Sequence, residues 1–480
     1  MLRLFDTMSK KKRVFRPLGK TVKMYNCGLT VYNFAHIGNL RAYTFADLLR
    51  RYLEFKGYRV KQVMNFTDVG HMTEDEVISS DVGEDKMEVA AKRERKTVWD
   101  IAEFYIKAFL EDSKKMNFLE PHVRPRATQH IPEMIRIIKG LVKKGYAYVT
   151  PSGVYYDVSR FKRYGRLSGN TVEKLKAGAG GRVKFNPDKR NQFDFALWIV
   201  DPNHIMKWES PWGTGYPGWH IECSAMSMKY LGKTIDIHTG AVDNIFPHHE
   251  CEIAQSEAYT GKKFVRYWMH CRHLMVDGQK MAKSSGKFYT LRDLEEKGFS
   301  PLALRFFLLS AHYRSELNFT LEALKTAEKT VKNLFDFTFK AFSLRPKGRY
   351  SREFSSFLKR ARTEFIRHMD DDLDTPKALA SVFDVVNETN RLMELGKLSR
   401  RNLREVFRFM VDIDRVLGLG LGRVAEGVPK SVERLVEKRE KLRKAGKFDE
   451  ADRIRKDLAE RGYEIEDTPD GPVVKRNWLK

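Results

Sequence analysis

The segment between Thr21 and Phe66 constrains the fold of this chain most strongly, because it predicts a strand, a helix and a second strand in succession. Residues 22–25 are strand-like, and residues 60–66 form a second, mostly apolar strand-like run. Residues 41–57 between them end at a glycine and carry apolar side chains at helical spacing, at Phe45, Leu48, Leu49, Tyr52 and Leu53. This order of elements is typical of a nucleotide-binding sheet with parallel strands.

Two short motifs are candidates for nucleotide binding. His36-Ile37-Gly38-Asn39 precedes the predicted helix, where backbone N–H groups and the helix dipole attract phosphate and where His36 and Asn39 can donate hydrogen bonds. The second motif, Lys280-Met281-Ala282-Lys283-Ser284-Ser285-Gly286, has two lysines among small residues and can clamp a triphosphate. Taken alone, the first motif is weak evidence and the second equally describes a solvated basic loop.

Four residues far apart in the sequence carry side chains that can bind a metal. Cys27 follows the first predicted strand, and Cys223 lies in a separate segment. His248 and Glu252 stand four residues apart, so a helix would place both on one face. Two thiolates, an imidazole and a carboxylate suit Zn²⁺ better than other common ions. Scattered cysteines and histidines are nevertheless core residues more often than ligands.

The two nucleotide motifs together resemble the His-Ile-Gly-His and Lys-Met-Ser-Lys-Ser pair of class I aminoacyl-tRNA synthetases. Three further stretches, residues 25–32, 210–226 and 246–250, look like the corresponding stretches of cysteinyl-tRNA synthetases. The resemblance runs nearly from end to end. The chain departs from the family pattern at several positions, with Asn39 in place of a histidine, Ala282 in place of a serine and Cys251 in place of an asparagine. Near the C-terminus, residues 473–475 stand in place of the tryptophan–arginine pair that the family often has.

The resemblance implies a set of site residues. The zinc ligands would be Cys27, Cys223, His248 and Glu252, although Cys251 also lies near the predicted ligand face and leaves the choice between it and Glu252 open. ATP, accompanied by Mg²⁺, would be bound by His36, Gly38, Asn39, Asp243, Lys280 and Lys283. The amino-acid pocket would include Thr67 and Trp219, for which packing at a strand end is nearly as good an explanation.

The implied activity is the ligation of L-cysteine to tRNA(Cys) through cysteinyl-adenylate. An ordinary pocket rejects a near-isostere such as serine by only about 10²-fold, whereas zinc selects a thiolate by bond chemistry. The alternative is a closed zinc site that only holds the fold together. Two other functions stay open, namely a ligase joining cysteine to an amino sugar, as in the mycothiol pathway, and a synthetase-like RNA-binding protein without catalysis.

The expected architecture is α/β, with a Rossmann-like parallel sheet, an insertion domain, a helical bundle and a small C-terminal domain. The catalytic domain is predicted to occupy residues 1–115 and 208–272, interrupted by a connective insertion at 116–207. A linker segment with the lysine motif covers 273–320. By resemblance, residues 321–424 form a tRNA-binding helical bundle and residues 425–480 an anticodon-binding domain.

Composition favours a nucleic-acid partner and a reducing compartment. The chain has 88 lysines and arginines against 63 acidic residues, a net charge of +25 that attracts polyanions. A charge-rich thermophilic surface would give a similar balance. Four cysteines, two of them assigned to zinc, do not indicate a disulfide framework. No apolar run approaches membrane-spanning length, and we expect a cytoplasmic protein.

Overall fold

The computed structural model describes residues 1–69, 85–171, 173–174, 186–280, 288–468, 471–476 and 478. The chain divides into two compact units. Unit 1 consists of Met1–Leu291, Ala311–Phe319 and Met369–Asp374, and unit 2 of Arg292–Ser310, Thr320–His368 and Thr375–Lys480. Among the described residues, none of the helices combines the length and the hydropathy that crossing a membrane requires.

A four-stranded parallel sheet forms the centre of unit 1. Its strands are β3 (Thr21–Thr30), β4 (Arg59–Thr67), β9 (Ile235–Ala241) and β10 (Val265–Cys271), in the order β10-β9-β3-β4. Helix α1 (Ile37–Phe55) connects β3 to β4 and buries the five apolar side chains whose spacing predicted it. The predicted α/β class with a Rossmann-like parallel sheet is confirmed.

Helix α1 starts four residues earlier than its apolar pattern predicts. His36 occupies the N-cap position, where its ring nitrogen Nδ1 accepts a hydrogen bond from the backbone N–H of Asn39 at 3.2 Å. In return, Oδ1 of Asn39 accepts from the backbone N–H of His36 at 3.1 Å. This reciprocal pair satisfies two N–H groups that a helix N-terminus leaves without intrahelical partners. The nucleotide motif is therefore the first turn of the helix.

The segment between the two halves of the parallel sheet contains a separate antiparallel sheet in the order β5-β6-β7-β8. Its strands are β5 (Ala147–Thr150), β6 (Gly153–Tyr156), β7 (Phe195–Val200) and β8 (Gly215–Pro217). Helices α2 (Lys86–Glu94), α3 (Val98–Lys115), α4 (Ile131–Lys143) and α5 (Trp219–Leu231) lie in this segment, and α6 (His248–Thr260) lies between β9 and β10. The glycine-rich tract at 177–181 lies outside the described residues.

Two small sheets complete unit 1. Strands β1 (Arg3–Asp6) and β2 (Lys11–Val14) form an antiparallel hairpin. Strands β11 (Leu274–Val276), β12 (Gln279–Lys280) and β13 (Leu317–Phe319) form the other sheet, in the order β12-β11-β13. Helix α7 (Leu291–Glu296) follows the lysine motif.

Unit 2 is mainly helical, as the periodic apolar residues after Leu321 predict. Its long helices are α8 (Pro301–Leu309), α9 (Leu321–Ser343), α10 (Arg352–Asp370), α11 (Thr375–Glu394) and α12 (Arg400–Leu417). The C-terminal part consists of α13 (Lys430–Lys444), α14 (Phe448–Glu460) and the antiparallel strands β14 (Tyr463–Thr468) and β15 (Gly471–Arg476). A small apolar core centred on Val432, Val436, Leu458 and Ile465 holds this C-terminal part together.

Candidate metal centre and nucleotide pocket

Cys27 lies in strand β3 at a point where the strand is irregular. The register between β3 and β4 shifts between Asn26 and Leu29, so that Cys27 and Gly28 leave the regular ladder. Gly28 allows this close approach, because a Cβ atom there would lie 1.5 Å from the carbonyl oxygen of Asn65. The side chain of Asn65 also accepts a hydrogen bond from the backbone N–H of Gly28 at 3.0 Å. The bulge therefore fixes the backbone that carries Cys27.

Three further donors reach Cys27 from two helices. Cys223 lies in the second turn of α5, while His248 and Glu252 lie four residues apart at the start of α6. The Sγ atoms of Cys27 and Cys223 are 4.0 Å apart, and Sγ of Cys27 is 3.8 Å from Oε1 of Glu252. Nε2 of His248 is 3.2 Å from the same oxygen. The structure thus brings together all four residues predicted from the sequence to be metal ligands.

The dimensions and chemistry of the cluster are compatible with a tetrahedral zinc site. Zinc–sulfur bonds of ~2.3 Å and zinc–nitrogen or zinc–oxygen bonds of ~2.0–2.2 Å place tetrahedral ligand atoms ~3.3–3.8 Å apart. The three separations given above, 4.0, 3.8 and 3.2 Å, differ from this range by at most a few tenths of an ångström. Cys223, His248 and Glu252 are buried, and Cys27 is partly exposed toward the pocket described below. The donor set is compatible with zinc.

A second group of four, Cys27, His238, His249 and Glu252, also has its donor atoms within 4.8 Å of one another. His249 places Nε2 3.2 Å from Sγ of Cys27, and His238 places Nε2 3.1 Å from Oε2 of Glu252. On the far side, Nδ1 of His249 hydrogen-bonds Nε2 of His270 at 2.8 Å. We assign these histidines to the support of Cys27 and Glu252, because the first group offers two thiolates and matches zinc better.

Electrostatics in the cluster favour a bound cation. The hydrogen bond with Cys27 lowers the pKa of Cys223 to about 6. Burial raises the pKa of Glu252, but His238 and His248 outweigh it and bring the value to about 2. Burial alone would lower the pKa of His248, yet its hydrogen bonds with Cys223 and Glu252 raise it to about 10. A buried thiolate and carboxylate therefore need positive charge nearby, which a divalent ion supplies as it displaces protons.

The cluster borders a pocket of about 580 Å³ in unit 1. The residues predicted to bind ATP that line it are His36, Gly38, Asn39 and Asp243. Because Nδ1 of His36 accepts the capping hydrogen bond, the neutral ring carries its proton on Nε2, which makes that nitrogen a donor. Asp243 follows β9 in a 3₁₀ turn, with Oδ2 3.3 Å from Nδ1 of His273.

The lysine motif is described only at its edges. Lys280 ends β12, whereas Lys283 and the rest of residues 281–287 lie outside the described residues. Immediately after the motif, the backbone N–H of Ile37 donates to the carbonyl oxygen of Tyr289 at 2.9 Å. The chain that leaves the motif therefore contacts the N-terminus of α1.

Sequence comparisons cover nearly the whole chain. Residues 14–329 match the profile of the class I (C) tRNA synthetase catalytic domain, residues 364–422 the DALR domain, and residues 425–472 the cysteinyl-tRNA ligase anticodon binding domain. The cysteine–tRNA ligase of Thermococcus gammatolerans is 43% identical over 490 residues, covering 99% of both chains. That of Chlorobaculum tepidum is 41% identical over 100% of this chain and 99% of its own. The chain belongs to the cysteine–tRNA ligase family.

Solved structures agree on the fold. The Mycobacterium tuberculosis methionyl-tRNA synthetase in complex with methionyl-adenylate superimposes with a TM-score of 0.63 at 13% identity, covering 86% of this chain and 95% of that one. A putative arginyl-tRNA synthetase from Campylobacter jejuni gives a TM-score of 0.53 at 12% identity, covering 85% and 94%. At such low identity these similarities establish the class I synthetase fold alone.

Thr67 and Trp219, the two residues predicted to bind the amino acid, both line the pocket next to the cluster. The hydroxyl of Thr67 donates to Oε2 of Glu222 at 2.9 Å. The ring of Trp219 stacks on that of His248, with centroids 4.6 Å apart. Trp219 therefore contacts a residue of the cluster as well as the pocket, whereas Thr67 contacts Glu222, the residue before Cys223.

The structure separates Cys251 from the cluster. Its Sγ atom lies 3.5 Å from the hydroxyl of Tyr164, and it belongs to neither group of possible ligands among the described residues. The supporting residues His238 and His249 were not predicted from the sequence. The adjacent pair His248-His249 was the available signal, but neighbouring residues on a helix point about 100° apart, so the pair alone does not indicate that both reach one site.

Proposed function

We propose that this chain charges tRNA(Cys) with L-cysteine, using ATP and Zn²⁺, and that it does so in the cytoplasm. The observation that carries the proposal is the position of the cluster of Cys27, Cys223, His248 and Glu252 at the border of the pocket that His36 and Asp243 also line. A site for a thiol and a site for a nucleotide then share one cavity. The identity with cysteine–tRNA ligases over the full chain supports the same substrates.

The reaction has two steps. The cysteine carboxylate attacks the α-phosphate of ATP, which gives cysteinyl-adenylate and releases pyrophosphate. The terminal ribose hydroxyl of the tRNA then attacks the carbonyl carbon, and AMP leaves. Both steps depend on positioning and on stabilising charge that develops on phosphate oxygens.

The chain's own groups supply that positioning. The dipole at the N-terminus of α1 would attract phosphate, and Nε2 of His36 would add a donor; the backbone N–H groups of Ile37 and Asn39 already donate to Tyr289 and His36. We assign Asn39 and Gly38 to the same phosphates, and Lys280 and Lys283 to the departing pyrophosphate, with Mg²⁺ accompanying the nucleotide. Asp243 would accept hydrogen bonds from ribose hydroxyls. Thr67 and Trp219 would form the walls beside the amino acid.

The metal supplies selectivity for the substrate side chain. When bound by Cys27, Cys223, His248 and Glu252, Zn²⁺ would take the cysteine sulfur as a thiolate ligand, which a serine hydroxyl replaces poorly. The pocket beside Cys27 and Cys223 leaves room for that ligand, so we favour a substrate-binding metal over one that only holds the fold. The supporting histidines, His238 and His249, would keep Cys27 and Glu252 oriented.

The two other functions stay less well supported. A ligase joining cysteine to an amino sugar would not need residues 425–472, which match an anticodon binding domain. A protein without catalysis would not need the pocket residues described above.

One assay tests the proposed function against both alternative functions. The full-length protein should catalyse cysteine-dependent ATP–pyrophosphate exchange and should then charge total tRNA with cysteine. Exchange without charging would support the amino-sugar ligase, and the absence of both would support an RNA-binding protein. Either result would refute the proposed function.

A further inference from the structure

The C-terminal part of unit 2 has an apolar core of its own. Val432, Val436 and Leu458 are buried at its centre, and the partly buried apolar side chains packed against them lie between residues 428 and 474. These contacts fold the C-terminal part on itself. They do not hold it against the long helices of unit 2, so its position on those helices depends on other contacts.

Trp478 makes such a contact with helix α9. It lies just after β15, which ends at Arg476, and its ring stacks on that of Phe335 in α9. The ring centroids are 6.0 Å apart and the ring planes are inclined by 12°. Phe335 is buried, whereas Trp478 is partly exposed. The stack therefore joins the end of the C-terminal part to the interior of the helical part of unit 2.

Two arginines flank the stacked rings. The guanidinium carbon of Arg423 lies 5.7 Å from the centroid of Phe335, and that of Arg476 lies 5.8 Å from the centroid of Trp478. A guanidinium group at this distance from an aromatic ring is attracted by the charge distribution of the ring. The arginines therefore add to the attraction between the two rings.

Two ion pairs also attach the C-terminal part, and both are weak. Lys332 of α9 pairs with Glu464 of β14 at 3.6 Å, and Arg476 pairs with Glu426 at 3.7 Å. All four side chains are about half exposed, and ion pairs this exposed stabilise a structure little because water and salt screen them. An aromatic pair stabilises beyond the apolar area that it buries. The attachment should therefore depend on Trp478 more than on either ion pair.

A large RNA that contacts two parts of a protein binds more tightly when those parts are already held in the bound arrangement, because less conformational freedom is lost on binding. We propose that Trp478 is a positioning residue, which holds the C-terminal part on α9 in the free enzyme by stacking on Phe335 and so prepares both for tRNA. This inference rests on the proposed function, in which both bind tRNA(Cys). Trp478 lies beyond residues 425–472, which match the anticodon binding domain, so that match assigns it no role.

The test compares two RNAs on the full-length enzyme and its Trp478→Ala variant. Dissociation constants are measured at fixed salt for a tRNA(Cys) transcript, which can span both parts, and for a short hairpin that carries only the anticodon loop. The variant should bind the transcript about fivefold more weakly or worse, the equivalent of one lost aromatic contact. Its affinity for the hairpin should change less than twofold, because the C-terminal part keeps its own core. Cysteine-dependent pyrophosphate exchange should keep its wild-type rate.

Two further variants make the result decisive. Trp478→Phe should keep wild-type affinity for the transcript, because a ring remains to stack. Phe335→Leu should weaken transcript binding as Trp478→Ala does, and combining the two should cause little further loss, because both remove one contact.

Three outcomes would overturn the inference. An equal loss of affinity for both RNAs would mean that Trp478 contacts the RNA itself. Unchanged affinity of Trp478→Ala for the transcript, or fully additive losses in the double variant, would mean that the stack does not position the C-terminal part. If the wild type charges no tRNA(Cys), the proposed function itself fails, whereas normal charging with unchanged transcript affinity refutes this inference alone.

Discussion

Replacing Glu252 by glutamine separates the two sequence candidates for the fourth metal ligand. Glu252 is fully buried, with Oε1 3.2 Å from Nε2 of His248 and Oε2 3.1 Å from Nε2 of His238. Glutamine has the same shape but removes the negative charge and turns one oxygen into an N–H₂ donor, which must face one of these histidines. If Glu252 binds the metal, its replacement removes one ligand. It also disturbs the contact between Glu252 and His248, which is a second ligand.

The expected loss can be bounded from general behaviour at zinc sites. Loss of a hydrogen-bond partner of a metal ligand lowers metal affinity by about 10- to 100-fold. Loss of the ligand itself should lower metal affinity by about 100-fold or more. We therefore expect Glu252→Gln to weaken zinc binding by about 10²-fold or more, or ~2.7 kcal/mol. The apparent KM for cysteine should rise with it, while the KM for ATP should change little.

Chelator competition followed by a colorimetric zinc indicator measures this affinity directly. The matched control is Cys251→Asn, one residue earlier on the same helix, whose thiol contacts Tyr164 and lies apart from the cluster. It should leave zinc affinity unchanged. The reasoning is refuted if Glu252→Gln retains wild-type zinc affinity, or if Cys251→Asn loses zinc instead.

Three further predictions concern other parts of the chain. Lys283→Ala should slow adenylate formation by about 10²-fold or more, because a donor used mainly in the transition state is worth ~2.7–4 kcal/mol. Cysteine binding should change little. Normal single-turnover rates in this variant would mean that the motif is only a solvated loop. Deletion of residues 425–480 should preserve pyrophosphate exchange and raise the KM for tRNA, since basic contacts far from the chemistry are lost; lost exchange would contradict this. Burial lowers the pKa of His204, but Asp85 at 3.3 Å and Glu88 at 3.5 Å help to raise it overall. The protonated form therefore stabilises the fold below about pH 6.5, and this contribution is lost as pH rises through the raised pKa. His204→Gln should accordingly lower the melting temperature more at pH 6 than at pH 9, and an equal effect at both would refute the ion pair.

The sequence predicted those parts of the fold that depend on local periodicity. The apolar spacing of α1 located that helix, and the four-residue spacing of His248 and Glu252 placed both on one helix. The helix start was misplaced because hydrophobic spacing does not report capping, and the reciprocal hydrogen bonds of His36 and Asn39 extend the helix to Ile37. Asn39 can replace the histidine of the family motif there because its amide completes the cap.

The surroundings of the site were not predictable in the same way. His238 lies in a strand and His249 on a helix, and nothing in either local pattern indicates that they meet at Glu252 and Cys27. Their positions depend on the pairing of β9 with β3 and on the docking of α6, which are long-range contacts. The bulge that holds Cys27 likewise depends on its neighbour Asn65 across the sheet.

X-ray absorption at the zinc edge counts the sulfur atoms bound to the metal, and so tests whether the metal binds the substrate cysteine. We expect two sulfur ligands, from Cys27 and Cys223, in the zinc-loaded enzyme without substrate. Saturating L-cysteine should raise the count to three, and saturating L-serine should leave it at two. A count that stays at two with cysteine would mean that the metal does not touch the substrate and that selectivity arises elsewhere in the pocket.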